Sequence, residues 1–290
     1  MAFFFIAGGV YSAIMAYMPV IKEHTQATNA QIGTAFFFFG VFSLIALFVS
    51  KNILEKIESA LVIFFCTLWM SMGICAIAFA SSPVQLYMCF GAMGLGVGVF
   101  DAAINVQGIL FEQRHKQQAL NFFHALCSGG GLALSIIAAL AASTALKPEV
   151  FFPCLAALFV GIGVLSKPGL LADDKKADEE KAGSEAEHKI PLIVIVCGLL
   201  TLLADASEGS IAEWGALYLV EEKDAPNALG ALVYGVFSAM SFVGRLAADP
   251  IREKVGSFVP IGIGLLLGLF GMLTVLFAES AYLCLFGYGV

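Results

Sequence analysis

The sequence predicts an all-α membrane protein of the two-bundle type, in which two groups of helices follow each other along the chain. Three observations predict it. Of the 290 residues, 60% are hydrophobic and only 13% are charged, whereas soluble domains carry about 25% charged residues. The apolar residues form nine segments long enough to cross a bilayer. A short pattern also recurs on both sides of one charged segment near the middle of the chain.

The composition excludes several classes of protein. The mean hydropathy is +0.91 and the formal charge is −7, so neither a soluble protein nor a nucleic-acid-binding protein is expected. The seven cysteines lie in apolar stretches without disulfide or metal-ligand spacing, and we interpret them as small buried hydrophobic residues. Because the sequence contains no P-loop, catalytic triad or metal cluster, we expect no enzyme, no ATP-driven pump and no cofactor.

The apolar segments are the predicted membrane helices. They are 1–21, 32–50, 60–80, 84–111, 118–145, 150–166, 191–220, 226–248 and 257–278. A tenth segment begins near residue 280 and stops at Val290 without a polar end, so we expect further C-terminal helices to be missing from this sequence. A cleaved signal peptide is not expected, because no basic segment precedes the first span.

The placement of lysine and arginine orients these helices. Twelve of the fifteen basic residues fall in the loops that share a side with the charged segment 167–190, and three fall on the other side. Basic loops of membrane proteins remain in the cytoplasm. We therefore expect a multi-pass protein of the cell (inner) membrane whose N-terminus and charged segment are cytoplasmic.

A repeat divides the chain into two halves. The sequence Gly-Val-Phe-Ser at 40–43 recurs at 235–238, and Ile-x-Glu-Lys-Ile-x-Ser at 53–59 recurs at 251–257 with one Ile replaced by Val. Both copies lie where an apolar span leads into a short basic turn. A repeat of this kind is typical of secondary transporters, whose site lies between the halves near the membrane midplane.

The repeat defines three domains. Residues 1–166 form an N-terminal bundle of six helices, 167–190 form a cytoplasmic linker, and 191–290 form a truncated C-terminal bundle. The linker contains seven acidic and five lysine residues and almost nothing that could pack in a core.

The turn after the second span of the second half resembles the signature of the major facilitator superfamily, G-x-x-x-D-[RK]-x-G-[RK]. The matching residues are Gly244, Arg245, Asp249, Arg252 and Gly256. The first-half turn, residues 50–56, has lost the glycines and the aspartate. The resemblance implies a fold of six plus six helices, of which about nine and a half are present, and a cytoplasmic gate latched mainly by the second half.

Three further stretches resemble the bacterial fucose-permease-like branch of that superfamily. They are Asp-Ala-Ala-Ile-Asn-Val-Gln at 101–107, His-Ala-Leu-Cys-Ser-Gly-Gly at 124–130, and Glu-Gly-Ser-Ile-Ala-Glu-Trp-Gly-Ala-Leu-Tyr-Leu at 208–219. The resemblance implies a permease, and the branch includes members that move a sugar together with protons. Members of this branch tend to carry an acid in the first helix, and 1–21 contains none.

Ionisable side chains at membrane depth are the candidate transport residues, because burying them there is costly. Asp101 and Asn105 are one turn apart on one face of the fourth span, and His124 lies at a similar depth in the fifth. Asp101 and His124 form either a proton relay or structural hydrogen bonds between helices. Glu112, near Arg114 at the cytoplasmic edge, is expected to form an ion pair or a gate latch.

The seventh span carries three acids, and we expect at least one to act in transport. Asp205 and Glu208 are neighbours near mid-depth, whereas Glu213 and Trp214 lie toward the outside. Trp214 beside carboxylates suits a sugar, and the alternative is an anchor at the membrane interface. Because long helices of this fold are often broken near the site, we expect Gly209 and Gly215 to be weak points.

Three other patterns indicate packing rather than chemistry. Glycines at 91, 94, 96 and 98 indicate close helix packing, because no strand precedes them. The run Ser-Gly-Gly-Gly at 128–131 indicates packing or a hinge, and the four phenylalanines at 36–39 are interpreted as lipid-facing.

The expected function is secondary active transport of a small polar solute, with a sugar as one candidate, by alternating access and driven by a proton gradient. The expected partners are this solute and the lipid bilayer, the chain acts as a monomer, and no nucleic acid is involved. An alternative is a drug or metabolite antiporter, but such exporters usually carry a Gly-Pro motif in the fifth helix and 118–145 contains no proline. A second alternative is a membrane sensor that has lost transport.

Overall fold

The computed structural model describes residues 1–173, 191–256 and 258–290, with the side chain of Asp249 also outside the description. These residues are mostly helical. The helices are α1 (Ala2–Ala16), α2 (Met18–Thr25), α3 (Asn29–Lys56), α4 (Ser59–Ala78), α5 (Pro83–His115), α6 (Leu120–Ser143), α7 (Pro148–Ser166), α8 (Leu192–Glu222), α9 (Asn227–Ala231), α10 (Val233–Val255), α11 (Phe258–Phe277) and α12 (Ala281–Tyr288). A single 3₁₀ turn at Lys167–Gly169 follows α7.

The predicted spans are confirmed. Over the described ranges, eight segments are long and apolar enough to cross a membrane, and α1 with α2 makes a ninth if the bent pair is counted as one span. The short helix α12 lies where the tenth segment was predicted to begin.

The bend lies in the first span, and the prediction of a broken seventh span is wrong. Helices α1 and α2 meet at an angle of 50°, and Pro19, which lacks an N–H group, occupies the first turn of α2. In contrast, α8 is continuous over 31 residues. Gly215 is a packing position, because a Cβ there would lie 2.6 Å from Val233.

Two ends of the helix bundle are distinguished below. The basic end is where α1 and α8 begin and where α3, α5 and α10 end, and the opposite end is where α2 and α8 end. In the first half, α3 packs along α5, α4 lies between α5 and α7, and α1 packs along α6. The second half meets the first through α6 with α9 and α10, and through α8 with α1 and α2.

Glycine allows these helices to approach closely, as the spacing predicted. A Cβ at Gly94 or Gly98 of α5 would lie 2.3 Å from a main-chain oxygen of α3. A Cβ at Gly8 of α1 would lie 1.9 Å from the Cys127 oxygen of α6, and one at Gly130 of α6 would lie 2.1 Å from an oxygen of α1. The glycine runs at 91–98 and 128–131 are therefore packing surfaces, because any side chain would force the helices apart.

The first residues of the predicted linker are folded against the first half. Gln107 of α5 is buried, and its side-chain amide accepts a hydrogen bond from the Leu171 N–H (2.8 Å) and donates one to the Leu171 oxygen (2.7 Å). Asp173 accepts hydrogen bonds from the main-chain N–H of Ser59 (2.7 Å) and from its hydroxyl. Residues 174–190, the remainder of the linker prediction, lie outside the described residues.

Two predictions about apolar side chains are wrong in part. Phe37 is 67% exposed as expected for a lipid-facing residue, but Phe36 is only 6% exposed because α3 turns it toward the second half. All seven cysteines are free, and they are not uniformly buried, since Cys154 and Cys197 are exposed.

Candidate functional site

A polar cluster lies between the two halves and is built by α1, α5, α6, α8 and α10. At the side of the cluster nearer the opposite end, the phenol of Tyr11 on α1 donates a hydrogen bond of 3.3 Å to the carboxylate of Glu213 on α8. The Tyr11 ring packs edge-on against Tyr234 of α10, with ring centroids 5.8 Å apart. The predicted acid Glu213 is therefore in contact with the first half through a residue that the charge pattern did not identify.

Glu208 lies about one and a half turns before Glu213 on the same helix, nearer the basic end, and is half-buried. It is within electrostatic range of Arg245 and Asp205, and also of Tyr11 and Tyr234. Asp205 is exposed. Of the three α8 acids predicted for transport, Glu213 contacts the first half directly through Tyr11, and Glu208 lies near Arg245 and Tyr234 of the second half.

Arg245 belongs to the cluster as well as to the signature turn. Its side chain is half-buried, and Nε donates a hydrogen bond of 3.2 Å to Ser241. The Arg245 main-chain oxygen accepts one of 3.0 Å from Asn121 of α6. Because Arg245 is also within electrostatic range of His124 and Glu208, a residue predicted only for the gate here faces the candidate solute site.

Asp101 and His124 are both near the same cluster. Asp101 is exposed and is within electrostatic range of Cys127. His124 is half-buried and lies edge-on against Phe4, with ring centroids 5.4 Å apart. Among the described residues, no hydrogen bond or ion pair joins Asp101 to His124, so the relay predicted between them is not preformed.

Two predicted residues make local or packing contacts. Asn105 donates a hydrogen bond of 2.8 Å from its amide to the Asp101 main-chain oxygen, so it is engaged within its own helix. Trp214 of α8 packs across the interface against α3. It lies edge-on to Phe36 (5.6 Å between centroids) and over Gly33, where a Cβ would be 3.4 Å from the indole. The aromatic side chain on the Glu213 carboxylate is that of Tyr11, and Tyr234 packs against Tyr11.

A cavity of about 640 Å³ opens between the halves at the basic end. Its polar lining comes from α5, the turn before α6, α6 and α10: Glu112, Gln118, Asn121, Arg245 and Arg252. The predicted ion pair or latch at Glu112 is replaced by a helix cap, because its carboxylate accepts hydrogen bonds from the main-chain N–H groups of Ala119 (2.7 Å) and Leu120 (2.8 Å).

Of the other residues of the signature turn, Arg252 lines this cavity. Gly244 is exposed, with open space where a Cβ would stand, and Arg252 is exposed. Gly256 ends α10 with φ of +77°, a left-handed conformation that favours glycine. The predicted role of Asp249 rests on a side chain outside the described residues.

At the opposite end the two halves are joined. Lys22 of α2 forms an ion pair with Glu221 of α8, and Asn29 donates a hydrogen bond of 3.1 Å to the other Glu221 oxygen. Together with Tyr11–Glu213, these contacts join the halves on the side of the cluster away from the basic end, where a smaller cavity of about 380 Å³ is lined in part by Lys22 and Glu221. Arg245 lines the cavity at the basic end and also belongs to the cluster.

Charged residues within apolar spans identified the acids of the cluster, but not the side chains that contact them. Tyr11, Tyr234 and Ser241 are uncharged residues in apolar spans, and nothing in the spacing distinguishes them from packing residues. Lys22 and Glu221 flank predicted spans 199 residues apart, so only the fold brings them together. Chemically, the cluster offers carboxylates that bind protons or accept hydrogen bonds, one guanidinium, one imidazole and two phenols.

Comparison with known proteins places this arrangement in a family. The model of the Major Facilitator Superfamily matches residues 1–290. An uncharacterised MFS-type transporter of Yersinia pestis is 22% identical over 291 residues, which cover 98% of this chain and 73% of that protein. Membrane protein MosC of Rhizobium meliloti is 24% identical over 284 residues, which cover 96% of this chain and 67% of that protein.

A solved structure supports the same fold. The crystal structure of the nucleoside transporter NupG matches with a TM-score of 0.69 and 10% sequence identity, covering 99% of this chain and 76% of that one. At this identity the likeness concerns the fold alone. The family match and the shared fold confirm the predicted two-bundle architecture, and the chain therefore belongs to the Major Facilitator Superfamily, as a multi-pass membrane transporter.

Proposed function

We propose that this transporter moves a small polar solute across the inner cell membrane by alternating access and couples the movement to protons. The observation that carries the proposal is the polar cluster of Tyr11, Glu213, Glu208 and Arg245 between the halves, with Asp101 nearby. The cluster is reached from the cavity at the basic end, while the Lys22–Glu221 pair closes the opposite end. In a two-bundle transporter, a site between the halves is exposed to each side in turn.

The acids of the cluster are the proposed proton carriers. Glu208 faces Arg245, and protonation of the carboxylate would release the guanidinium from that attraction. Asp101 stands on the first half, so protons bound at the two acids would act on both sides of the interface. His124, near Arg245, and Asp205, near Glu208, are proposed as secondary proton sites.

A sugar is the proposed solute. Aromatic rings pack against the apolar face of a sugar ring while carboxylates accept hydrogen bonds from its hydroxyls. Tyr11 and Tyr234 with Glu213 and Glu208 offer both features. Trp214 borders this region through its contact with α3.

The basic end is proposed to face the cytoplasm, since lysine and arginine concentrate in its loops. The six spans from α1 to α7 then form one bundle, the helices from α8 onward form the second, and the protein works as a monomer. The signature turn from Gly244 to Gly256 would latch the cytoplasmic gate when the cavity closes.

Uptake by proteoliposomes tests this proposal. With an imposed pH gradient and a panel of radiolabelled sugars, we expect uptake of at least one sugar that collapses with a protonophore. Glu208→Gln and Asp101→Asn should each lower gradient-driven uptake at least tenfold. Glu222→Gln, which alters an exposed acid at the end of the same helix, should leave uptake unchanged.

Two outcomes would contradict the proposal. Unchanged uptake in both acid variants would remove Glu208 and Asp101 from the coupling mechanism. Drug sensitivity of a deletion strain, without flux of any sugar, would favour an exporter instead.

A further inference from the structure

The hydrogen bond between Tyr11 and Glu213 differs from the other contacts between the halves because it lies beside the candidate solute site. It joins α1 to α8 with 3.3 Å between the phenol oxygen and the carboxylate. The Lys22–Glu221 pair lies farther out, toward the ends of α2 and α8. We therefore call Tyr11–Glu213 the inner contact between the halves. A solute that enters from the cavity at the basic end would meet it.

The Tyr11 side chain resembles part of a sugar in the groups it presents. Its hydroxyl donates to Glu213 while its ring packs against Tyr234, with centroids 5.8 Å apart, and lies 6.2 Å from the Phe39 centroid. An ionised carboxylate only accepts hydrogen bonds. A solute hydroxyl beside the same aromatic surface would make the same interaction with Glu213 and would displace the phenol.

We propose that Tyr11 is an internal substitute for the solute, and that a neutral polyhydroxylated solute opens the inner contact by supplying its own hydroxyl donor to Glu213. The class of solute follows from the acceptor. A hydroxyl replaces the phenol donor, whereas a carboxylate of the solute would face the Glu213 carboxylate without a proton between them. This inference rests on the proposed transport function for its role in the cycle.

The binding energy of the solute explains why exchanging Tyr11 for the solute at Glu213 couples solute binding to movement of the two halves. A ligand shifts a conformational equilibrium only by its differential affinity for the two states. While Tyr11 occupies Glu213 the inner contact holds the halves together, and when a solute occupies Glu213 this contact is lost and the outer Lys22–Glu221 contact remains to be broken before the opposite end opens. Tyr11 is thus a positioning residue for the conformational step and a competitor of the solute.

Pulsed electron paramagnetic resonance on the purified full chain tests the inner contact. Unnatural amino acids at the exposed positions Ala30 and Glu222 carry the spin labels, because the chain has seven cysteines of its own. Without solute, Tyr11→Phe should raise the long-distance population about three- to tenfold over the unsubstituted protein. Tyr17→Phe is the matched control, because its hydroxyl donates within the first half, to the Leu146 oxygen at 3.3 Å, and it should change nothing.

Pairs of sugars test the class of solute. D-glucose and D-galactose should raise the long-distance population of the unsubstituted protein, whereas D-glucuronate and D-galacturonate, which differ by one carboxylate, should not. Glu213→Gln, which keeps an acceptor for Tyr11 but loses the charge, should weaken the response to the neutral sugars at least tenfold.

The outcomes separate this inference from the transport function. A Tyr11→Phe distribution equal to that of the unsubstituted protein overturns the inner contact. Uronates that act as strongly as hexoses, or a complete lack of response to both, overturn the solute class. Opening by hexoses without any flux in proteoliposomes would leave the inference intact and contradict the proposed transport.

Discussion

The side-chain amide of Gln107 pairs with both main-chain groups of Leu171, as a neighbouring strand would. The same Nε2 also donates a hydrogen bond of 2.8 Å to the Ser59 hydroxyl. Because Ser59 in turn donates to Asp173, the network joins α4, α5 and the chain that leaves α7. The chain that leaves α7 is therefore held against the first half as far as Asp173.

Gln107→Leu should destabilise the first half by about 1–3 kcal/mol, since it leaves the Leu171 N–H and oxygen without their side-chain partner. Thermal unfolding in detergent measures the loss, and hydrogen exchange should show faster exchange at the Leu171 amide. Gln113→Leu, at an exposed position six residues along α5, is the control. An unchanged melting temperature together with unchanged exchange would show that the amide pairing contributes nothing.

Asp173→Asn should cost roughly 1 kcal/mol, because it removes a negative charge from the start of α4. The N-cap residue of that helix, Glu58, makes no capping hydrogen bond through its own side chain. Hydrogen exchange over residues 59–62 measures fraying of the first turn. If Asp173→Asn and the unsubstituted protein exchange equally there, the linker does not cap α4.

Reversal of one charge at the opposite end should separate the two halves there. Lys22→Glu places two carboxylates where Lys22 and Glu221 form an ion pair whose side chains are 18% and 29% exposed. We expect faster hydrogen exchange at the ends of α2 and α8, and recovery in the double variant Lys22→Glu with Glu221→Lys. No recovery in the double variant would mean that the effect of Lys22→Glu is local and not due to this pair.

Gly98→Val should disrupt the contact between α5 and α3. A Cβ at Gly98 would lie 2.3 Å from the Ser43 oxygen, closer than real side chains come. Overpacking of this kind costs about 1–3 kcal/mol or more, and we expect a clearly lower melting temperature. Gly40→Val has open space around it and should be tolerated, so equal losses in the two variants would contradict the packing role of Gly98.

Gly256→Ala should shift the end of α10 and lower stability by roughly 1–2 kcal/mol, because Gly256 adopts φ of +77°. Its N–H donates to the Arg252 oxygen at 2.9 Å, which closes the last turn of the helix. Thermal unfolding and uptake together measure the effect. Gly244→Ala, where open space surrounds the residue, should be neutral for stability.

Some elements were predictable because they depend on composition and local spacing alone. Nine apolar segments of sufficient length determine nine spans, since a bilayer requires each span to satisfy its main-chain groups internally. The glycines at 94 and 98 predicted a close helix contact because of their spacing within one apolar helix. The acids Glu208 and Glu213 were identifiable because a carboxyl group within an apolar helix is rare.

Other features arise only when distant segments meet. The weak points expected at Gly209 and Gly215 lie within a continuous α8, and Gly215 packs against Val233. Phe36 was expected in lipid, yet it contacts Trp214 because α3 faces the second half there. Neither outcome depends on the residues next to it in sequence.

The sequence by itself determined the membrane architecture, the two halves and the set of ionisable residues, because these follow from hydrophobicity, charge placement and repetition. Only the tertiary structure decided which of those residues act together. Tyr11 donates a hydrogen bond to Glu213, and Arg245 of the signature turn lies near Glu208. The residues of each pair are more than thirty positions apart in the sequence. The physical reason is that a hydrogen bond or ion pair depends on distances of a few ångströms between helices, which no local pattern encodes.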